Sequence, residues 1–336
     1  MAWDVRAANG IWLPQAGWWL DARTATLRAI VSHAHSDHVA RHKELVCSSP
    51  TARILRERLP GRRIEHVLPY GRMEPLTLDT AVSLYPAGHI LGSSMVQLHH
   101  ERGTLLYTGD FKLKPSLAAE TCTPPRSDVL IMETTFGLPK YVFPHREETI
   151  GRMITFCRET VAGGAVPVLY CYSLGKSQEV LMALAPAGLP VMLHPAAVRL
   201  TRVYEQLGWR FPPYREFTPD SAAGHIVICP PPQNGGGLLR HLPARRTAVV
   251  SGWALDSGAT YRNRTDAAFP LSDHADYPEL LELVDRVQPK LVYTVHGFAR
   301  EFATTLRARG LEAWALGGNN QLELFASTDK ISPDPH

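Results

Sequence analysis

Three histidines and an aspartate fall within the six-residue run His33-Ala34-His35-Ser36-Asp37-His38. Imidazole and carboxylate form a ligand set that suits zinc, with manganese or iron as poorer alternatives. The run follows Leu27-Arg28-Ala29-Ile30-Val31, an apolar stretch that reads as the end of a buried strand. A strand that stops and at once offers these groups sets a metal site at its carboxyl edge. In extended geometry His33 and His35 point the same way. Asp37 and His38 then fall on the following turn, where a second metal can sit beside the first. A solvated histidine-rich turn is the plainer alternative, and the density of ligand types argues against it.

Other residues can complete such a site. His89 lies among glycines in Pro86-Ala87-Gly88-His89-Ile90-Leu91-Gly92-Ser93, where the backbone can approach a ligand closely. Asp110 ends Leu105-Leu106-Tyr107-Thr108-Gly109 and could bridge two metals, or simply form an Asx turn. Glu133 closes the apolar run Asp128 to Met132, as a helix cap or as the partner that orients a catalytic histidine. Asp21, after Trp18-Trp19-Leu20, could orient a ligand histidine or sit in a turn. Ligand types return at Asp273-His274 and His296. In Ser173-Leu174-Gly175-Lys176-Ser177 a strand ends in a small-residue turn and opens a helix. Its N–H groups, with Ser173, Gly175 and Lys176, would grip a phosphate, unless this is an ordinary βα connection. Ser251-Gly252-Trp253 precedes Arg262 and Arg264. The arginines could add phosphate contacts, and Trp253 could stack on a base or fill core.

The elements that must position these residues alternate in kind. Short apolar runs at 81–86, 104–108 and 128–132 read as strands, and 49–59 as a capped helix. From residue 145 the pattern is helix (147–160), strand (165–171), helix (176–185), strand (189–193), helix (195–207). That rhythm implies a parallel sheet covered by helices. Pro230 to Gly237 reads as a loop. Ligand types concentrate in 21–133 and 273–296, so one metal domain is interrupted by an inserted second domain.

Composition sets the outer bounds. The 336 residues are 45% apolar and 20% charged, which argues for a packed globular protein and against disorder. No apolar run reaches the roughly 18–20 residues a membrane span needs, and Met1 to Gly10 lacks the apolar core of a signal peptide. The five cysteines show no C-x-x-C spacing and fit reduced, buried thiols in the cytoplasm. A net charge of +3 does not by itself argue for nucleic acid, so any basic surface must be local.

The run from His33 to His38, with His89 and Asp110, resembles the metal motifs of the metallo-β-lactamase superfamily. Glu133 in Glu133-Thr134-Thr135-Phe136-Gly137, His274 in Ser272-Asp273-His274-Ala275-Asp276-Tyr277, and His296 in Val295-His296-Gly297 resemble the three later motifs of its β-CASP nucleases. Trp18-Trp19-Leu20-Asp21-Ala22, Phe136-Gly137-Leu138-Pro139, Tyr172-Ser173-Leu174-Gly175-Lys176-Ser177-Gln178 and Ser251-Gly252-Trp253 are similar to phrases of the bacterial ligase-associated DNA exonucleases.

The resemblance implies an α/β protein with a four-layer αβ/βα metallo-β-lactamase domain over residues 1–138 and 271–336. An α/β β-CASP domain, 139–270, would be inserted between them. It implies one zinc on His33, His35 and His89, and another on Asp37, His38 and His296, with Asp110 and a hydroxide bridging the two. Manganese is the alternative metal. Asp37, Glu133 and His274 would be the catalytic group, His274 protonating the leaving oxygen while Glu133 holds it. Ser173, Gly175, Lys176, Ser251 and Trp253 would bind nucleic acid. The implied activity is a single-strand-preferring DNA exonuclease of DNA repair, partnered by a DNA ligase system and without membrane attachment. RNA is the alternative substrate, because RNA enzymes of this branch tend to carry histidine where His296 stands. A small-molecule metallo-hydrolase would not need the insert. A catalytically dead subunit would have lost ligands that this chain retains.

Overall fold

The computed structural model describes residues 3–231, 237–242 and 244–317. Most of the loop expected from Pro230 to Gly237 lies outside them, as does the end of the segment 271–336 beyond residue 317.

Strands β1 (Arg6–Ala8), β2 (Gly10–Leu13), β3 (Trp18–Leu20), β4 (Arg28–Ile30), β5 (Glu44–Ser48) and β6 (Ile64–Leu68) form a first sheet in chain order. The first two pairings are antiparallel and the rest parallel. Helix α1 (Ser49–Arg58) leaves β5 at once. The Ser48 hydroxyl accepts from the Thr51 N–H and Pro50 occupies the first turn, which satisfies a free helix donor and presets the backbone.

The second sheet takes β7 (Met73–Pro75), β8 (Ala81–Pro86), β9 (Ser94–His100), β10 (Gly103–Tyr107) and β11 (Val129–Glu133). The chain then leaves for a third sheet. This contains β12 (Val166–Tyr170), β13 (Val191–Leu193), β14 (Tyr214–Glu216), β15 (Ile226–Cys229), β16 (Arg245–Val250) and β17 (Ala267–Phe269). Its order is β14-β13-β15-β12-β16-β17, parallel throughout. Helix α2 (Arg146–Ala162) leads into β12, and crossovers run through α3 (Lys176–Ala183), α4 (Pro195–Gln206) and α5 (Ala259–Asn263). After α6 (Tyr277–Val287), β18 (Leu291–Val295) returns to the second sheet beside β11, followed by α7 (Ala299–Ala308) and β19 (Glu312–Ala315). A reciprocal cap starts α6: Asp276 accepts from the Glu279 N–H at 3.0 Å, and Glu279 from the Asp276 N–H at 3.1 Å.

Sheets one and two share a core in which Leu13, Trp18 and Leu20 meet Leu84, Leu98, Tyr107 and Ile131. The outer face of the first sheet is covered by α1, with Ile54 and Leu55 against Leu45 and Cys47. The outer face of the second is covered by α6 and α7, with Leu283, Val284, Phe302 and Leu306 against Leu106, Leu130 and Met132. Helix, sheet, sheet, helix is the four-layer arrangement. Full burial of each such side chain contributes roughly 1.5–3 kcal/mol. Leu200, Val203 and Tyr204 of α4 join the cluster under α1, together with Ile90 and Leu91, so the third-sheet region packs directly against the His89 loop.

The ligand-type residues stand just past strand ends. β4 ends at Ile30 before His33, β8 at Pro86 before His89, β10 at Tyr107 before Asp110, and β18 at Val295 before His296. Because β10, β11 and β18 are parallel neighbours, Asp110, Glu133 and His296 leave the same sheet edge.

Candidate metal centre

Three imidazole nitrogens converge. His33 Nε2 and His89 Nε2 each lie 3.1 Å from His35 Nδ1. Asp110 Oδ2 lies 3.5 Å from His33 Nε2 and 3.8 Å from His89 Nε2. Zinc–nitrogen bonds of about 2.0–2.1 Å at the tetrahedral angle separate ligand atoms by about 3.4 Å, so the four donors fit such an ion. The geometry differs from the extended one expected of the sequence. Residues past Ile30 form a bend, not a strand, and His33 and His35 meet by presenting different ring nitrogens.

The outer ring nitrogens face oxygens that fix each tautomer. His33 Nδ1 is 2.9 Å from Ser32 Oγ, His89 Nδ1 is 2.9 Å from the Asp273 carbonyl, and His35 Nε2 is 3.3 Å from the Leu174 carbonyl. With the outer N–H donating to a carbonyl, or at His33 to the Ser32 hydroxyl, the inner lone pair is free for a cation. Burial lowers all three below the usual histidine range, His35 to about 3, so they stand neutral as ligands must.

A second group adjoins the first. His38 Nε2 lies 3.3 Å from Asp110 Oδ2 and 3.6 Å from Asp37 Oδ2. Its Nδ1 lies 2.8 Å from Asp21 Oδ2, a carboxylate that also accepts from the Ser32 N–H and the Tyr107 hydroxyl. Burial pushes His38 down, but Asp110 and Asp37 outweigh it and raise it well above the usual range. Positive charge is therefore favoured where those carboxylates meet. His296 sits beside this group in a left-handed backbone conformation (φ 61°), its ring 5.7 Å from that of His38. Its Nδ1 lies 3.3 Å from Arg23 Nη2, and among the described residues it joins none of the converging ligand groups. A cavity of about 260 Å³ opens here, with Arg23, Asp37, His38 and His296 in its wall.

His274 Nε2 is 3.9 Å from Asp110 Oδ2, and its Nδ1 is 2.9 Å from the buried Glu133 Oε1. Burial alone would lower His274. The Glu133 and Asp110 carboxylates outweigh it and hold His274 up at about 10. Positive charge on the His274 imidazole is thus favoured beside the ligand cluster.

The phosphate grip expected at the Ser173–Ser177 turn needs correction for Lys176. That side chain is 2% exposed, and its amine is paired with Glu179 Oε2 at 2.8 Å and Asp273 Oδ1 at 3.3 Å. The Gly175 N–H is already bonded to Gln178 Oε1 at 2.7 Å. The Lys176 and Ser177 N–H groups bond to Leu174 and Tyr172 carbonyls, so few helix-start donors remain. Ser173 stays partly exposed. Ser251 Oγ accepts from the Trp253 N–H, and the half-buried Trp253 ring lies 4.8 Å from Phe136 and 6.5 Å from Phe298. Arg262 and Arg264 border an open groove of about 600 Å³ away from the ligand cluster, and Arg262 Nη2 lies 3.6 Å from Asp256 Oδ2. The sequence reading missed Arg23, Tyr107, Ser32 and the Leu174 and Asp273 carbonyls. Only Asp273, beside His274, carried a signal in its residue type.

The four layers are those of the metallo-β-lactamase fold, with a His/Asp cluster at the strand edges that could hold a metal ion. Residues 267–316, which include His274 and His296, match the family described as RMMBL, the Zn-dependent metallo-hydrolase RNA specificity domain. The chain is 58% identical over 325 residues to a "Probable DNA ligase" of Opitutus terrae, covering 96% of this chain and 32% of that protein. It is 31% identical over 179 residues to an "RNase J-like protein" of Methanocaldococcus jannaschii, covering 46% of this chain and 42% of that one. Over 121 residues it is 36% identical to "Transcription termination factor FttA" of Pyrococcus abyssi, covering 35% and 19%. The chain thus spans about a third of the Opitutus protein's length and less than half of the others'. A crystal structure of a protein of unknown function from Enterococcus faecalis V583 superposes with a TM-score of 0.58 at 14% identity, covering 88% of this chain and 80% of that one, a likeness of fold. The chain thus carries a stretch of the Zn-dependent metallo-hydrolase type over residues 267–316 and is similar, over the matched lengths, to proteins named as a probable DNA ligase and as RNase J-like.

Proposed function

We propose that the protein is a two-metal nuclease that shortens single-stranded DNA ends, acting with a DNA ligase in repair in the cytoplasm. In this reading residues 139–270 form the inserted β-CASP domain, and 1–138 with 271–336 form the metal domain. His33, His35, His89 and Asp110 hold one divalent ion. Asp110, Asp37 and His38, joined by His296, hold the other. Zinc is the first choice for both, with manganese second. Two such ions, when bound, lower the pKa of water and offset charge on a phosphodiester.

The protein's own residues supply the rest. Asp21 orients His38, and the Ser32, Leu174 and Asp273 oxygens orient the other imidazoles. The observation that carries the reading is the His274–Glu133 pair beside Asp110. Cleaving a phosphodiester releases an alkoxide that needs a proton, and His274, held by Glu133 and facing Asp110, lies where it can provide one. The half-buried Trp253 and Phe298 offer faces on which bases can stack.

The DNA assignment rests on the long match to a protein named as a DNA ligase, about three times the length matched. RNA is the second reading, favoured by the RNA-specificity match over 267–316 and the RNase J-like relative. Matched DNA and RNA single strands, labelled at either end, decide between them in the presence of zinc or manganese. Progressive shortening of DNA, absent in Asp110→Ala, is expected. Faster loss of RNA would move the substrate to RNA, and cleavage of neither would refute the nuclease reading.

A further inference from the structure

We propose that Lys176, Glu179, Lys112 and Asp273 form a buried charge network through which the third-sheet region positions the imidazoles of His35 and His89. The inference rests on the metal-centre reading above and not on the choice of substrate.

Lys176 and Glu179 lie on α3, Lys112 follows β10, and Asp273 precedes His274. Lys176 Nζ reaches Glu179 Oε2 at 2.8 Å and Asp273 Oδ1 at 3.3 Å. Lys112 Nζ lies 3.4 Å from Glu179 Oε1 and donates to the Ser272 carbonyl. Lys112, Lys176 and Glu179 are all buried. Two cations balance two anions, which is how charges survive removal from water.

Both ends of this network touch a ligand histidine through main-chain carbonyls. Asp273, held by Lys176, accepts from His89 Nδ1 at 2.9 Å through its carbonyl. Leu174, two residues before Lys176, faces His35 Nε2 at 3.3 Å through its own. Between them, Gly175 has φ +81°, and a Cβ there would lie 2.2 Å from Ile90 Cγ2, so the turn is seated on the residue after His89. A lysine inside a glycine turn thus has a role unrelated to phosphate. It ties the turn to the segment carrying Asp273 and His274, and both clamp ligand rings.

A purely structural bolt between the sheets would change stability but not the ligand field. Cobalt(II) separates the two roles, because its visible absorption reports the geometry of its ligands. Metal-depleted wild type, Lys176→Met and Asp273→Asn are titrated with Co(II), with near-ultraviolet circular dichroism as the check of fold. Asp273→Asn keeps the carbonyl and the side-chain size, so it serves if Lys176→Met does not fold. Expected is binding of the first Co(II) weakened by about 10–100-fold, with a changed band shape, in a folded variant. Wild-type affinity and spectrum in a folded variant would overturn the network's role while leaving the metal centre standing. A wild type that binds no Co(II) would overturn the metal centre as well.

Discussion

Replacing Glu133 by Gln removes one charge and almost no volume at the group that sets His274. Glu133 Oε1 faces His274 Nδ1 at 2.9 Å, Oε2 accepts from the Thr135 N–H at 3.0 Å, and the side chain is 1% exposed. A glutamine can still offer an oxygen to one of these donors, but not a charge. An opposite charge at this range shifts a pKa by roughly 1–3 units, or about 1.4–4 kcal/mol of preference for the protonated form. Before any metal binds, Glu133 and Asp110 hold His274 up at about 10. Glu133→Gln should lower it, because a raising charge is lost. If His274 gives the proton to the leaving oxygen, kcat/KM falls where His274 loses its proton. The alkaline limb of the pH–rate profile should therefore move down by roughly 1–3 pH units, while the rate near pH 6 changes far less. The assay is initial-rate cleavage of a labelled single strand from pH 5.5 to 10.5 with metal content checked at each pH. An unmoved limb in a variant that retains its metal would refute the acid role.

The same pair predicts a stability effect. With the folded pKa raised from 6.5 to about 10, the contribution is complete below pH 6.5 and is lost as pH rises toward 10. Thermal melts should show that loss in wild type and a smaller one in Glu133→Gln. Asp110→Ala removes the oxygen shared by both ligand groups and should abolish cleavage and release metal, read by elemental analysis. Lys176→Met should leave the salt dependence of single-strand binding unchanged, since the amine does not reach solvent; a log–log slope flattened by about one unit would mean that it contacts a phosphate. Gly88→Ala should destabilise the His89 loop by about 1–3 kcal/mol from backbone strain alone. Its φ is +80°, and a Cβ would lie 2.2 Å from the Lys112 carbonyl, so a melting temperature equal to wild type would contradict the described turn.

The convergence of His33, His35, His89 and Asp110 was legible because ligand chemistry restricts residue types. A run such as His33 to His38 has few uses besides binding a cation, and its place after an apolar stretch put it at a strand edge. The alternation of helix and strand after residue 145 likewise follows from side-chain periodicity, and α2, α3 and α4 fall close to their expected positions. Contacts made by main chain left no trace. Any residue at position 174 would present the carbonyl that faces His35, so its type could not reveal the role. Lys176 was misread for a related reason. A lysine beside a glycine turn has the composition of a phosphate site, and only packing of α3 against the Asp273 segment shows that its charge is already matched inside the protein. The backbone turn at His296 and its approach to Arg23 depend equally on tertiary placement.

Stepwise metal loading tests the central claim most directly. Metal-depleted protein is reconstituted with zinc or manganese from zero to three equivalents, and single-strand cleavage is measured against the bound ion at each step. The arrangement of His33, His35, His89, Asp110, Asp37 and His38 predicts no activity without metal and a rise that levels off at two bound ions per chain. Full activity at zero or one bound ion would contradict it.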